Sequence, residues 1–520
     1  MTAVFRVDAS SQMGSGHFMR CLALAQELKS QGASVFFLSS DLNEDLQKRL
    51  ASENFSVTIT HFSEPGSLED ARQTLEFASL KGSDWIVLDG YHFKHDYQKC
   101  LKQSAIKLLT IDDFGHASEY CSDLVLNQNA YAKDGYYTKR APTTRLLLGP
   151  SYILFRNEFL NHISQKKMIQ KIGSNILLTF GGSDQKNCTG KVIQALGKIK
   201  NRKLKVVAIV GALYADFENL KKLAENSPHE VTIVKNTSEM PKYMSVADLA
   251  YSAGGSTCYE LGLMGVPFMM MATTKDEDTT INALVQRGVG QNLGLTENVT
   301  DQQIIDLLEN LMADQDKRAH MSAQGQNLID GLGRQRVFAA MRDLTMGKLT
   351  TARLTLEPFD QKFLTEKYVS WLNDPEVVRY SEQRHRKHTM KSCLDFFQSF
   401  RGSPNLFWAI TLNENQSEHI GNITASVDIP NGVADVGILM GEKKYWGKGY
   451  GLEAWNAVME FLFQKKEIQK ITAGAMSTNL GMRSIMKRSG MVDDGVQKGH
   501  FLVDGQPVDA VYAVRLRPHN

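Results

Sequence analysis

No run of eighteen or more apolar residues occurs in the 520-residue chain, which argues against a membrane-spanning helix. The opening segment, "MTAVFRVDASSQMGSGH", lacks the basic-then-apolar layout of a secretion signal. The six cysteines stand at 21, 100, 121, 188, 258 and 393, and no two have CxxC spacing. Zinc and redox motifs are therefore unsupported, no metal is expected, and reduced thiols in the cytoplasm are the simple expectation. Excess charge is missing too. Lys and Arg number 59 against 57 Asp and Glu, a net +2 with both signs interspersed, so nothing asks for nucleic acid or an anionic membrane. Low-complexity segments are also absent. The remainder is ordinary globular composition, 42% hydrophobic and 22% charged. The length suggests roughly two to four domains.

Short apolar runs alternate with helical patterns from the start. "AVFRVD" reads as a strand, "HFMRCLALAQELKSQG" as a helix closed by a glycine, and "ASVFFLSS", "DWIVLDGY" and "IKLLTIDDFG" as further strands. Such alternation implies a parallel sheet covered by helices. The pattern pauses in a polar, lysine-rich stretch near 155–173 and then restarts with "NILLTFGG", "LKVVAIVG", "VTIVKN" and "ADLAYSAGG". Two doubly wound lobes facing a cleft are expected, at 1–158 and 174–345. A second break falls near 345–352. Beyond it, "RLTLEPF", "FWAITLN", "EHIGNITASVDIP" and "VADVGILM" read as consecutive strands. A separate α+β domain is expected over 352–517.

Glycine marks four candidate ligand loops. In "SSQMGSGHFMRC", Gly14 and Gly16 allow a sharp turn that brings backbone amides and a helix N-terminus close to an anion. His17 stands at that strand-to-helix junction, where it either caps the helix or takes a proton near neutral pH. In "SAGGSTCYELGLMGVP", Gly254, Gly255, Ser256 and Thr257 form a bare, hydroxyl-rich turn ahead of a helix, with Glu260 one turn in. Amides there suit a diphosphate, and a carboxylate suits ribose hydroxyls. Gly181 and Gly182 of "FGGSDQKN" offer another strand-end turn, the place where α/β ligands bind. In "YWGKGYGLEAW", Gly447, Gly449 and Gly451 let successive amides point into one concavity ahead of a helix. A dinucleotide-binding reading of that loop is weak, because it follows antiparallel-looking strands.

"MGSGHFMRCLALAQEL", "DDFGHASEYCSDLVLNQN", "LLGPSYILFRNEF", "LLTFGGSDQKN" and "ADLAYSAGGSTCYELGLMGVP" occur in that order. Together they resemble the nucleotide-sugar hydrolases of pseudaminic acid biosynthesis, relatives of the glycosyltransferase that makes lipid II, over about residues 1–345. The resemblance implies a two-lobed GT-B architecture. It also implies inverting hydrolysis of UDP-2,4-diacetamido-2,4,6-trideoxy-β-L-altropyranose to UDP and free sugar. On it, His17 matches the base that activates water, and Tyr91 matches a substrate-contacting tyrosine. Where that family carries an Asn-Gln pair near the sugar, this chain has Asp278, with Asn282 four residues later. The sugar contact there stays open between them.

The last of these glycine loops, with "STNLGMRSIMKRSGM" after it and "WLNDPEVVRY" before it, resembles the acetyl-CoA-binding core of the GCN5-related N-acetyltransferases (GNAT) over roughly 352–517. The resemblance implies acetyl-CoA as co-substrate. Trp446 takes the loop's usual Gln/Arg place, and Asn479 is the asparagine that meets the cofactor arm. The strand amides from Gly437 to Met440, Leu439 among them, polarise the thioester carbonyl. Seven residues after Asn479, where many relatives carry a tyrosine acid, stands Met486, which has no proton to give. Tyr445, His500 and Glu442 are the alternatives on chemistry alone.

The two resemblances name neighbouring steps, acetylation of a UDP-4-amino sugar and release of UDP from the product. Fusion raises the local concentration of the second site around the first product. The expectation is a bifunctional enzyme acting on small molecules, with its oligomeric state open. A glycosyltransferase with another acceptor, and a sugar-sensing module joined to a protein acetyltransferase, are the alternatives.

Overall fold

The apolar, β-branched runs of the first 300 residues pair side by side in parallel, as strands buried on both faces do. The computed structural model describes residues 1–9, 16–60, 64–163, 167–182, 184–211, 214–400, 403–414, 418–465 and 467–518. They divide into two compact units, Met1–Phe338 and Ala339–Asn520. That division falls inside the helix Gly333–Met346, not in the 345–352 stretch where the sequence changes texture.

The first unit contains two parallel sheets. The seven-stranded one runs, in spatial order, Ser56–Ile59, Ser34–Ser39, Thr2–Val7, Trp85–Asp89, Lys107–Ile111, Leu124–Asn127 and Arg145–Leu148. The six-stranded one runs Glu230–Lys235, Lys205–Val210, Asn175–Thr179, Leu249–Ser252, Phe268–Ala272 and Gln291–Leu295. Each starts in its middle and winds outward both ways, so each has a topological switch point where crevices open at the strands' carboxyl ends. Those ends are polar in the first sheet: Asp8, Asp89, Asp112, Asp113 and Asn127 close four of its strands. The segment read as a polar connector contributes to packing. Ile153, Phe155 and Phe159 are buried with Leu177, Tyr259 and Leu263 in the second sheet's core.

The second unit is one eight-stranded sheet, ordered Leu349–Thr350, Leu354–Pro358, Leu406–Leu412, His419–Asp428, Val433–Met440, Lys470–Met476, Gln506–Leu516 and Val492–Val503. Its neighbours are antiparallel except Val433–Met440 beside Lys470–Met476, which pair in parallel only from Val433 with Lys470 to Asp435 with Thr472. The helix Tyr450–Gln464 buries Ala454, Trp455, Val458, Met459 and Leu462 on one face of the sheet. An aromatic cluster of Phe359, Phe363, Tyr368, Trp371, Phe397 and Phe407 packs on the other.

Candidate functional site

Within the first unit, residues of both sheets line one cleft of about 380 Å³, within the usual range for small-molecule sites. The helices and loops around the first sheet supply Gly16, His17, Arg20, Tyr91, Asp113 and Asn129; those around the second supply Gly254, Gly255, Ser256 and Glu260. Gly14 lies outside the described residues. Two bonds tie the lobes together beside the cleft: the Ala130 amide donates to the Tyr259 hydroxyl at 2.9 Å, and Arg156 meets Glu260 at 3.2 Å.

His17 is the second residue of the helix Gly16–Ser30, yet its ring does not cap that helix. Its Nδ1 lies 2.6 Å from Oδ1 of Asp89, a fully buried carboxylate at the end of the neighbouring strand. Arg20, one helical turn on, reaches the same carboxylate through Nε at 2.6 Å and Nη2 at 2.8 Å. It also grips Asp113 at 2.7 and 3.1 Å. Arg20 Nη2 also lies 3.1 Å from His17 Nδ1, but the shorter contact to the carboxylate favours a proton on Nδ1, which leaves the lone pair of neutral His17 on Nε2, the ring edge away from Asp89. Burial pushes the Asp89 carboxyl up, but Arg20 and then His17 outweigh it and hold it below the usual range. Burial likewise raises Asp113, and Arg20 and the Tyr91 hydroxyl overcome it. The Tyr91 hydroxyl donates to Asp113 at 2.7 Å, and its ring stands edge-on to His17 with centroids 4.9 Å apart. Asn129 Nδ2 donates to Asp113 at 2.7 Å.

Sequence reasoning missed Asp89, Arg20, Asp113, Asn129 and Arg156. The available signal was acid at the carboxyl ends of parallel strands, in "LDGY" and "IDDFG", where α/β sheets gather chemistry.

The expected residues of the second lobe divide. Gly254 packs against the helix Lys275–Val285, where a Cβ would stand 2.6 Å from the Glu277 carbonyl. Gly255 and Ser256 are exposed at the cleft. Thr257 begins the seven-residue helix Thr257–Leu263 without lining the cleft. Glu260 lines it, paired with Arg156; burial raises its carboxyl, and Arg156 offsets only part of that. Gly181 and Gly182 form an exposed turn that does not line the cleft, with Gly182 pressed against Gly211. Asn282, left open as a sugar contact, does not line this cleft. It lines a separate shallow pocket and joins Asp278 and Asn292 at 3.0 Å each. The reason is helical periodicity: Asp276, Glu277 and Thr280 share the cleft face, and Asn282 lies well round the helix from them.

In the second unit the splitting of the two parallel strands leaves a notch beyond Asp435 and Thr472. Leu439 does not present its backbone there. Its carbonyl faces Gly421 on the antiparallel neighbour, and its side chain packs on the aromatic cluster. Alternation therefore turns Ile438 and Met440 toward the notch, and the Met440 carbonyl accepts from Trp446 Nε1 at 2.8 Å. The open strand edge is thus carried by the residues on either side of Leu439. Gly449, at φ +84°, precedes the helix Tyr450–Gln464, and Gly447 has φ +72°. Gly451, inside the helix, is a packing glycine: a Cβ would stand 3.2 Å from Ile485. Asn479 heads the helix Leu480–Arg488, where its oxygen accepts from the Met482 amide at 3.0 Å, which leaves its Nδ2 free to donate to a ligand. Met486 is buried in the core. The Tyr445 hydroxyl is bonded to Glu418 at 2.9 Å, Glu442 to Trp371 at 2.9 Å and Lys367 at 3.2 Å, and His500 is exposed on a hairpin.

Residues 353–492 match the acetyltransferase (GNAT) domain family, and residues 176–332 match the glycosyltransferase family 28 C-terminal domain. The chain is a fusion of these two kinds of domain. Its first unit has the GT-B architecture and its second carries an acetyltransferase domain. Over 468 residues the chain is 23% identical to an uncharacterized protein of Methanocaldococcus jannaschii, covering 88% of this chain and 89% of that one. Over 292 residues it is 25% identical to the UDP-2,4-diacetamido-2,4,6-trideoxy-beta-L-altropyranose hydrolase of Campylobacter jejuni, covering 55% and 97%. Among solved structures it is similar to MurG of Acinetobacter baumannii, with 14% identity, coverage of 66% and 99%, and a TM-score of 0.48. Among the described residues, no helix is long and apolar enough to cross a membrane.

Proposed function

We propose that the protein makes a free diacetamido sugar in two steps: N-acetylation of a UDP-linked 4-amino sugar, then hydrolysis of the product to UDP and sugar. The observation that carries this reading is the His17–Asp89 pair, 2.6 Å apart in a cleft shared by two lobes. The relative from Campylobacter jejuni, named for such a hydrolysis, supports the substrate class.

In the hydrolytic step, water held at His17 Nε2 loses a proton to the ring as its oxygen attacks the anomeric carbon. The C–O bond to UDP breaks on the opposite face, with inversion. Asp89 keeps Nδ1–H in place and balances the imidazolium that forms, a differential effect that lowers the barrier. Arg20 is committed to two carboxylates and acts by fixing Asp89. The exposed Gly255–Ser256 turn faces the leaving diphosphate, and Glu260 receives the ribose hydroxyls once it exchanges Arg156 for them.

The acetyl group comes from acetyl-CoA, which supplies a thioester activated for transfer. The second unit fits it: an open strand edge at Ile438 and Met440, and a helix N-terminus preceded by left-handed Gly449 for the pyrophosphate. The test incubates the pure protein with a UDP-4-amino-4,6-dideoxy sugar and acetyl-CoA and follows products by NMR. An N-acetylated UDP-sugar, then UDP and free sugar, is expected. Transfer of the sugar to an added acceptor in preference to water would refute hydrolysis and favour a glycosyltransferase.

A further inference from the structure

The chain enters the second unit through a short hairpin. Leu349–Thr350 pairs with Leu354–Pro358, and the Thr351 amide closes the turn on the Leu354 carbonyl at 2.8 Å. That turn lies against the start of the helix Tyr450–Gln464, where Glu453 sits in the first helical turn. Glu453 is mostly buried and receives four donors from the hairpin: Thr351 Oγ1 at 2.6 Å, the Arg353 amide at 2.8 Å, and Arg353 Nε and Nη2 at 2.7 and 2.6 Å. Burial raises the Glu453 carboxyl, but Thr351 and Arg353 outweigh it and hold it below its ordinary value, so it is ionised. Arg353 also reaches the glycine loop. Its Nη1 donates to the Lys448 carbonyl at 3.0 Å, and its guanidinium stands over the Tyr450 ring, 4.2 Å from the centroid. The C=O and N–H of a trans peptide point opposite ways, so a Lys448 carbonyl held toward Arg353 turns the Gly449 amide away from it. Among the described residues nothing accepts from that amide.

We propose that Arg353 is a positioning residue for acetyl-CoA: it fixes the Lys448–Gly449 peptide so that the amide faces the pyrophosphate, and it cancels the charge of Glu453. The proposal rests on the acetyltransferase reading above and adds to the glycines the side chain that orients them. A carboxylate in a helix's first turn normally complements the positive end. Here that end is left to a ligand, and an uncompensated Glu453 would compete with the incoming anion. A guanidinium fork offsets the carboxylate and holds a single geometry while doing so, which a lysine cannot. Surface ion pairs are often worth little. This one differs in the four donors gathered on Glu453 and in the Lys448 carbonyl that the same guanidinium engages. The loop's other ion pairs, Lys443 with Asp374 and Glu376 and Lys444 with Glu418, use exposed lysines ahead of the glycines.

The experiment compares the full-length protein with Arg353→Met and with Arg353→Met/Glu453→Gln. Affinity for CoA and for 3′-dephospho-CoA is measured by calorimetry. Affinity for pantetheine, which lacks the pyrophosphate, is measured by NMR titration, and folding by circular dichroism. In Arg353→Met the two pyrophosphate-bearing ligands are expected to bind about tenfold more weakly, within the range for an anion at a helix N-terminus, and pantetheine as before. The double variant is expected to recover part of the loss, because the uncompensated carboxylate is gone. Arg353→Lys, which keeps the charge but not the fork, should fall between the parent and Arg353→Met, and it serves alone where the latter does not fold. Unchanged CoA affinity overturns the proposal. An equal loss for pantetheine also overturns it, by making Arg353 a merely structural residue. A loss for CoA that spares 3′-dephospho-CoA does the same, by placing Arg353 at the ribose phosphate. A double variant no better than Arg353→Met overturns the charge cancellation. A parent protein that binds none of the three ligands overturns the acetyltransferase reading, and this proposal with it.

Discussion

Replacing Asp89 with Asn tests the hydrolytic reading most directly, because it changes one charge and almost no volume. Asp89 is wholly buried and accepts from His17 Nδ1, Arg20 Nε and Arg20 Nη2 at 2.6, 2.6 and 2.8 Å. An asparagine offers one oxygen where two are used, so its NH₂ must face a donor, either Arg20 Nε or His17 Nδ1. If it faces His17, the ring loses the tautomer that leaves Nε2 free. General-base loss of this kind costs about 10²–10⁴-fold in rate. Stripping one partner from a buried ion pair costs about 3–5 kcal/mol. Here Arg20 keeps Asp113 at 2.7 Å, so destabilisation at or below the low end of that range is expected and the variant should still fold. UDP release is measured for Asp89→Asn, His17→Asn and the double variant, with circular dichroism as the folding control. Residues acting as a unit are grossly non-additive, so the double variant should be little slower than His17→Asn alone. Acetyl transfer should persist in all three. An Asp89→Asn protein releasing UDP at near the parent rate, or losses that multiply, would refute the coupling of Asp89 to His17.

Burial pushes Asp8, Asp89, Asp112 and Asp113 up, yet their basic and hydroxyl partners outweigh it and hold all four low. The folded state then binds fewer protons than the unfolded one, so this stability is present above the free carboxylate value, about 3.9. It is lost as pH falls through the folded values. The melting temperature of the first unit should stay level from about pH 7 to 5 and drop steeply below about pH 4; a level trace to pH 3 would contradict the assignment. Glu260→Ala should raise KM for the UDP-sugar about tenfold or more, on the scale of a hydrogen bond to a charged group, with a smaller change in kcat. Unchanged UDP affinity by calorimetry would remove Glu260 from the site. Gly449→Val puts a branched side chain at φ +84°, a strain of roughly 1–2 kcal/mol or more. Acetyl-CoA binding should be lost while UDP release from a diacetylated substrate survives, and normal acetyl-CoA binding would make the loop a plain turn.

Much of the architecture was legible because buried parallel strands need continuous apolar sequence. "DWIVLDGY" and "ADLAYSAGG" became Trp85–Asp89 and Leu249–Ser252, buried throughout. The long hairpin Val492–Val503 with Gln506–Leu516 was not read. Its outer strand is exposed along most of its length and carries Asp493, Asp494, Lys498 and two glycines, so it has neither an apolar run nor clean alternation. The division between the compact units lies upstream of the break in sequence texture, while the acetyltransferase match begins at residue 353, just after it. Glycine and threonine near 347–351 look like a linker, whereas the helix Gly333–Met346 carries on through the division without a breaker.

The glycine loops show what composition can and cannot say about a site. Each was read as a cradle of amides, yet the glycines do three different things. Gly447 and Gly449 hold left-handed backbone that an L side chain resists. Gly254 and Gly451 exist for close packing, against Glu277 and Ile485. Gly16 and Gly255 face open space, where their amides are approachable. A sequence shows that a side chain is missing, but only the fold shows which of these reasons applies. The charged residues reverse the lesson. His17 and Glu260 were singled out for what their side chains can do, whereas Asp89, Arg20 and Arg156 matter for what they hold. Such partners converge from elements 69 and 104 positions apart along the chain, and no local spacing records them.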